Sequence, residues 1–432
     1  MINRKDAPKT YPIEKIKFNA PNVEQLNCGS LLYVFQESQL NLLHISIEVA
    51  AGQIYESQKY ISQMLFPFLR EASSQYDKEE MDQLLDYYGS SWNTVVALQN
   101  VMIELVIPKR NFAKIFPIIA NALCNPDFKA HYLKDYKERR MMNFEYNIQK
   151  NSYRASHLML KTLFKADTPV GTPLEKCYIE SITTEDLKKY YDEVFQASRI
   201  TFYASGNFEK TEFDILNREF SQLSLGNMDF NPVSVPQVSH TKQYLFEPRI
   251  ESLQSSIILC KNMFGYNHEE RACFSVLNTI LGGYFGSRLQ QRVREKCGYT
   301  YGIFSSSTYV RDYSLFCVES DVIAEKTDDA IEACFEEILR LQTELVEWEE
   351  LEKVRTYLLG NCLRAADGIT TRMKTYIRWH KFGLDEKEME KTFEVIKEIT
   401  PQTILTLAQH YLSRDSFSTI IVGHSKRDEK NC

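Results

Sequence analysis

Neither H-x-x-E-H nor H-E-x-x-H occurs anywhere in the 432 residues. The eight histidines, His44, His131, His157, His240, His268, His380, His410 and His424, are scattered, and the closest two lie 14 positions apart. A helix presents two imidazoles to one metal ion when they lie about one turn apart, so that device is excluded. Ten cysteines are present but no C-x-x-C pair, which removes the usual thiolate zinc and redox motifs. Several thiols sit in apolar runs such as Ile257 to Cys260, so reduced and mostly buried cysteine is expected. No apolar run approaches the ~18 residues of a membrane-spanning helix. Residues Met1 to Pro8 lack the apolar core of a signal peptide, and the expectation is a cytoplasmic protein without a membrane partner. Excess positive charge is also missing. With 51 Lys and Arg against 58 Asp and Glu, the net charge is −7, which speaks against a nucleic-acid partner.

What is present is a length too great for one ordinary core and a loose internal repeat. Ile182-Thr183 leads through a helical stretch to the apolar run Arg199 to Gly206, and Ile399-Thr400 leads in the same way to Phe417 to Gly423. Isoleucine to glycine spans 24 positions in both, and the copies lie 217 positions apart. Two tandem homologous domains are the natural reading. The run Leu225 to His240, with Gly, Asn and two Pro, has no helical period and reads as a linker. The expected division is a first domain over 1–222, a linker over 223–242 and a second domain over 243–432. Each half opens with strand-like alternation, at Leu43 to Ala50 and at Ser255 to Cys260. Amphipathic helices follow, such as Lys78 to Tyr88, which Gly89 would terminate. Strand pairs are expected over Trp92 to Ile107 and Tyr301 to Ser320, then long helices and a final strand. The fold class expected is α+β, with each domain a mainly antiparallel sheet packed with helices.

The segment Arg288-Leu-Gln-Gln-Arg-Val-Arg-Glu-Lys-Cys-Gly-Tyr-Thr-Tyr301 is the most distinctive in the chain. It follows the small-residue turn Gly282 to Ser287, which has neither the lysine nor the strand-loop-helix setting of a phosphate loop. On generic grounds Arg294 would pair with Glu295 or Asp312, and Tyr301 would be an ordinary strand aromatic. The acidic run Glu344 to Glu352 reads as a solvated helix face, with Trp348 as its possible anchor.

With these residues in view, the chain resembles the pitrilysin/insulinase family of zinc peptidases, whose motif is the inverted H-x-x-E-H. The likeness runs over nearly the whole sequence. It rests most on Gly286 to Tyr301, then on Phe128 to Glu145 and Thr168 to Leu174. The resemblance implies a clam-shell subunit in which Arg294 and Tyr301 bind substrate. It also implies a metal helix in the segment Ile61 to Ser73. There the best register sets Gln63 and Pro67 at the two histidine positions and Phe66 at that of the catalytic glutamate. A register slipped by one sets Ser62, Leu65 and Phe66 there. Neither supplies a ligand, because zinc needs nitrogen, sulfur or carboxylate donors. Glu145 falls at the third-ligand position, and alone it is expected to be a surface charge paired with Arg139 or Arg140.

The resemblance therefore implies a chain that binds no zinc and has no catalytic residue of its own. It would be the substrate-binding subunit of a heterodimeric zinc peptidase. A paralogous partner carrying the zinc motif would supply the metal, the base and the water. Tyr301 would donate to a peptide carbonyl oxygen and Arg294 would offer its donor fork. An extended peptide could bind by adding a strand to a sheet edge. A peptide-binding or scaffold protein without proteolytic role is the alternative, and an enzyme with an unforeseen site of its own is disfavoured by the absent histidine pair.

Overall fold

The computed structural model describes residues 13–164, 168, 171–227, 242–310 and 312–425. The first half runs β1 (Asn22–Gln25), β2 (Leu31–Gln36), β3 (Leu42–Val49), α1 (Ile61–Phe68), α2 (Lys78–Tyr87), β4 (Ser91–Val96), β5 (Val101–Pro108), α3 (Phe112–Cys124), α4 (Ala130–Asn147), α5 (Asn151–Leu163), α6 (Lys176–Ser181), α7 (Thr184–Val194), β6 (Ile200–Gly206) and α8 (Lys210–Glu219). The second runs β7 (Tyr244–Pro248), β8 (Gln254–Phe264), α9 (Arg271–Asn278), β9 (Thr300–Val310), β10 (Tyr313–Ile323), α10 (Thr327–Thr343), α11 (Trp348–Asp367), α12 (Ile369–His380), α13 (Lys387–Glu398), α14 (Pro401–Tyr411) and β11 (Ser418–Gly423). This is an α+β molecule built on two sheets.

The sheets repeat one topology. The first has the order β1-β2-β6-β3-β5-β4 and the second β7-β11-β8-β10-β9. Apart from the added β1, each chain-order set of five strands is permuted identically. In each, one pair is parallel, β2 with β6 and β7 with β11, and the others are antiparallel. The repeated Ile-Thr elements enter the fold in the same way. Thr183 caps α7 by accepting from the Asp186 backbone N–H, and Thr400 caps α14 by accepting from that of Thr403. The glycines that close the repeats, Gly206 and Gly423, both have positive φ, at 117° and 141°. A Cβ on Gly206 would stand 2.5 Å from the Leu42 carbonyl oxygen, and one on Gly423 would stand 2.4 Å from Ser255 Oγ. Only glycine meets both demands.

Local signals behave as the sequence suggests. Helix α2 starts at a capping box made by Asp77 and Glu80 and is followed by Gly89 with φ 62°. Trp348 is a departure, since it opens α11 with 60% of its surface exposed and anchors nothing. The expected linker coincides largely with 228–241, outside the described residues.

The two halves exchange helices. Helix α5 of the first half lies on the second sheet, where Ala155, Met159 and Leu163 pack against Ile258, Cys260 and Ile420. Helix α12 of the second half lies on the first sheet, against β2 and β6. Tyr376 there meets Tyr33 and Phe35. The last residue of α12, His380, ends in a polar chain across the halves. Tyr203 donates to Glu48 (3.0 Å), so the consistent arrangement has His380 Nδ1–H donating to Tyr203 (2.7 Å) and Tyr33 donating to Nε2 (3.1 Å). Burial lowers the His380 pKa and favours this neutral ring. Each sheet therefore buries one face against a helix from the other half, and the halves pack as one body.

Candidate functional site

Two consecutive π-helical turns, Thr279–Gly283 and Gln290–Lys296, lead into β9. Such turns are rare and concentrate at functional sites, because the extra residue per turn re-aims side chains. Gly282 lets the first turn press on β9, where a Cβ would lie 2.5 Å from Ser305 Oγ. Its closeness therefore serves helix–strand packing. The second turn is anchored by buried Val293 and Gln290, whose Nε2 donates to the Ile303 carbonyl (2.8 Å). From that anchored turn Arg294 projects its guanidinium over the Phe285 ring, 4.3 Å from the centroid. Among the described residues it has no ion pair, with Glu295, Asp312 or any other acid, and one terminal nitrogen is buried without a hydrogen-bond partner.

Gly298, with φ 67°, turns the chain into β9. Strand β9 is the outermost strand of the second sheet. Its pairing with β10 shifts register between Ser320 and Val322, opposite the start of β9, a bulge that turns Tyr301 outward. Thr300 Oγ1 and Ser320 Oγ both donate to the Gly302 carbonyl (2.9 Å each) and pin the irregularity. Tyr301 is 91% exposed, and nearby in sequence Phe285 and Phe304 are 63% and 54% exposed. The region thus presents an unpaired strand edge, a phenol, two exposed aromatic rings and an unpaired guanidinium.

The positions that would hold zinc lie on α1 and α4 of the first half. Phe66 is fully buried in the core, and so are Ser62 and Leu65 of the slipped register. Pro67 sits inside α1, and only Gln63 opens on a cavity, of about 330 Å³. Glu145 does not face that cavity. It is mostly exposed and lies 3.8 Å from Lys176, which replaces the expected pairing with Arg139 or Arg140. Arg139 pairs with Glu71 instead. The face of α4 that looks toward Gln63 carries Arg140, Asn143, Phe144 and Asn147, one helical stripe. The third wall is α5, through Tyr153, His157 and Leu160. Among the described residues none from the second half lines this cavity, and Tyr301 is not part of it.

These wall residues escaped sequence reasoning, since Asn, Tyr and a lone His carry no motif. Their one signal is the i, i+4 spacing of Tyr153 and His157 beside a helix whose other face is apolar. Burial, with Lys161 and Arg154 adding to it, lowers the His157 pKa to about 4, so the ring is neutral. Glu56 holds the start of α1, accepting from the backbone N–H groups of Tyr60 (2.9 Å) and Ser62 (3.1 Å) and from the Ser62 hydroxyl. Burial pushes this carboxyl up to about 7 against the opposing pull of those bonds. Tyr60 adopts φ 69°, the one positive value outside glycine among the described residues.

A zinc ion does not fit what is here. Among the described residues no group of three or more His, Cys, Asp or Glu stands ready for a metal. A glutamine, an arginine and asparagines are not a zinc donor set.

Comparison with known proteins agrees with the geometry. Residues 181–358 match the family model described as the peptidase M16 inactive domain. An uncharacterized zinc protease of Rickettsia bellii is 23% identical over 93% of this chain and 97% of that protein. The non-peptidase homolog YmxG of Helicobacter pylori is 19% identical over 94% of this chain and 95% of its own. Among solved structures, the peptidase M16 inactive domain from Pseudomonas fluorescens superposes with a TM-score of 0.83 at 19% identity, covering 94% of this chain and 98% of that one. The periplasmic protease PqqL from Escherichia coli superposes with a TM-score of 0.77 at 14% identity, covering 96% of this chain but 49% of PqqL.

Proposed function

We propose, from the likeness to the peptidase M16 family and the lack of a zinc donor set among the described residues, that this chain is the substrate-binding, non-catalytic subunit of a two-chain zinc peptidase. The observation that carries this reading is the contrast between its two candidate sites. Arg294 lies on an anchored turn and Tyr301 on an open strand edge, and among the described residues neither side chain has an ion pair or hydrogen-bond partner. Gln63, Phe66 and Pro67 offer nothing to a metal.

In this reading an extended peptide adds to the free edge of β9, main chain to main chain. The Tyr301 O–H donates to a substrate carbonyl oxygen, where it strengthens as that oxygen gains negative charge. Arg294, kept in place by Phe285, offers its remaining N–H groups to a neighbouring carbonyl. The metal, when bound in the partner, would activate the attacking water, and this chain would bind no zinc itself. PqqL, in which a chain of this size matches about half the length, supports an assembly of two such units.

The test is to express this chain with and without a paralogue that carries H-x-x-E-H, and to follow co-purification and peptide cleavage. Association, with cleavage only by the mixture, is the expected outcome. Full cleavage by the paralogue alone, without association, would turn the reading into that of a peptide-binding or scaffold protein.

A further inference from the structure

We infer that the cavity standing where the metal site would be is a carboxylate-binding pocket, with Arg140 as its anion-binding residue. This inference is independent of any partner chain. Three helices wall the cavity, and among the polar residues that line it are five from these helices: Gln63 from α1, Arg140 and Asn143 from α4, and Tyr153 and His157 from α5. None of the five has a hydrogen-bond or ion-pair partner among the described residues, and Arg140 Nε is buried without an acceptor. Polar side chains that line a void without protein partners keep their donors for a molecule that enters it.

The donor set identifies the charge of the ligand. Among the described residues, Arg140 is the one cationic side chain in the wall, and no aspartate or glutamate lines it. Around it stand amide N–H groups of Gln63 and Asn143 and the Tyr153 hydroxyl, which burial keeps protonated and therefore able to donate. A single guanidinium with neutral donors balances a monoanion. A phosphate dianion would call for a second cation in the wall, and Lys161 and Arg154, whose charges are felt at His157 ahead of that of Glu175, do not line the cavity. The planar fork of arginine matches a carboxylate in two parallel bonds. The Tyr153 and His157 rings, 4.2 Å apart, and Phe144 add flat apolar surface for whatever carries the acid. Two sources share this chemistry, the carboxyl terminus of a peptide and a small organic acid.

The placement of the pocket adds a consequence. Helix α5 contributes Tyr153 and His157 to the cavity on one side and Ala155 and Met159 to the second sheet on the other. A ligand held here bears on the helix that joins the halves.

The experiment uses the full chain alone and isothermal titration. The probes are N-acetyl-Ala-Phe with a free carboxylate, the same peptide as its amide, 3-phenylpropionate and inorganic phosphate. The expected result is that the acid binds about tenfold or more tighter than the amide, that phosphate does not compete, and that R140Q weakens the acid by a similar factor while R140K retains part of the binding. Tight binding of 3-phenylpropionate as well identifies a small-acid pocket, and selective binding of the peptide acid identifies a carboxyl-terminus pocket. Equal affinity for acid and amide, no binding of any acid at millimolar concentration, or unchanged binding by R140Q would overturn the inference. The acid–amide comparison on the unsubstituted chain decides the matter even where a variant fails to fold.

Discussion

Glu56 makes the stability of the first half depend on pH in an unusual direction. Its carboxyl, raised by burial from an ordinary value of 4.5 to about 7, binds a proton more readily in the folded chain than in the unfolded one. The stabilisation is complete below the unfolded value and is lost as pH rises through about 7. The shift corresponds to about 3 kcal/mol at most, at ~1.36 kcal/mol per pH unit. Residual contact with water reduces the share expressed between pH 5 and 8 to roughly 2 kcal/mol. His157 acts in the opposite sense, because its pKa is lowered to about 4. The unfolded chain then takes up the proton first as pH falls below the ordinary imidazole value, so stability rises with pH there and masks Glu56 in the native protein. The informative quantity is the difference between the native chain and E56Q in urea unfolding, measured at pH 5 and pH 8. The native chain should lose roughly 2 kcal/mol relative to E56Q on going from pH 5 to pH 8. A difference that stays constant, or one that grows in favour of the native chain as pH rises, would refute the assignment of Glu56 as a buried, proton-holding clamp on α1.

Met159→Ala, which leaves a hole between α5 and the second sheet, should cost about 2–4 kcal/mol in urea unfolding and should lower hydrogen-exchange protection in β8 and β11 although the residue belongs to the first half. Gly423→Ala should destabilise by more than about 2 kcal/mol, since it faces both a positive φ and contact with Ser255, and Gly206→Ala should behave alike if the repeat is structural. Tyr203→Phe removes the link between Glu48 and His380 and should cost roughly 1–3 kcal/mol, read by thermal unfolding, with the His380 ring titrating at a changed pH by NMR. Phe285→Ala should free Arg294 from its ring and weaken peptide binding several-fold without altering the melting temperature.

Much of this architecture was legible because it rests on local chemistry. Thr183, Thr400, Gly206 and Gly423 mark a capped helix and a strand end in each half, and the residues that mark them are those the backbone demands. Arg294 and Tyr301 were singled out by likeness alone, and their placement on a turn and at a bulge is something no periodicity predicts. The helix exchange was not legible. Ala155, Met159 and Leu163 form an apolar stripe that says a helix is buried but not against which sheet. The face of α4 was also hidden. Its fully buried residues, Leu133 and Tyr136, lie in its first half, so near its end no apolar stripe fixes the rotation, and Glu145 could be counted to the right place in sequence yet point away from the cavity. The wall of Gln63, Arg140, Asn143, Tyr153 and His157 is assembled from three helices and exists only in the fold.

The most direct test of the account is single-turnover cleavage of a fluorogenic peptide by this chain mixed with an H-x-x-E-H paralogue, the proposed partner, with and without Tyr301→Phe. If the chain lends Tyr301 to a shared site, the substitution lowers the chemical step by about a hundredfold while subunit association and zinc content of the complex stay the same. An unchanged rate in the intact complex would contradict the claim that this chain supplies half of the active site.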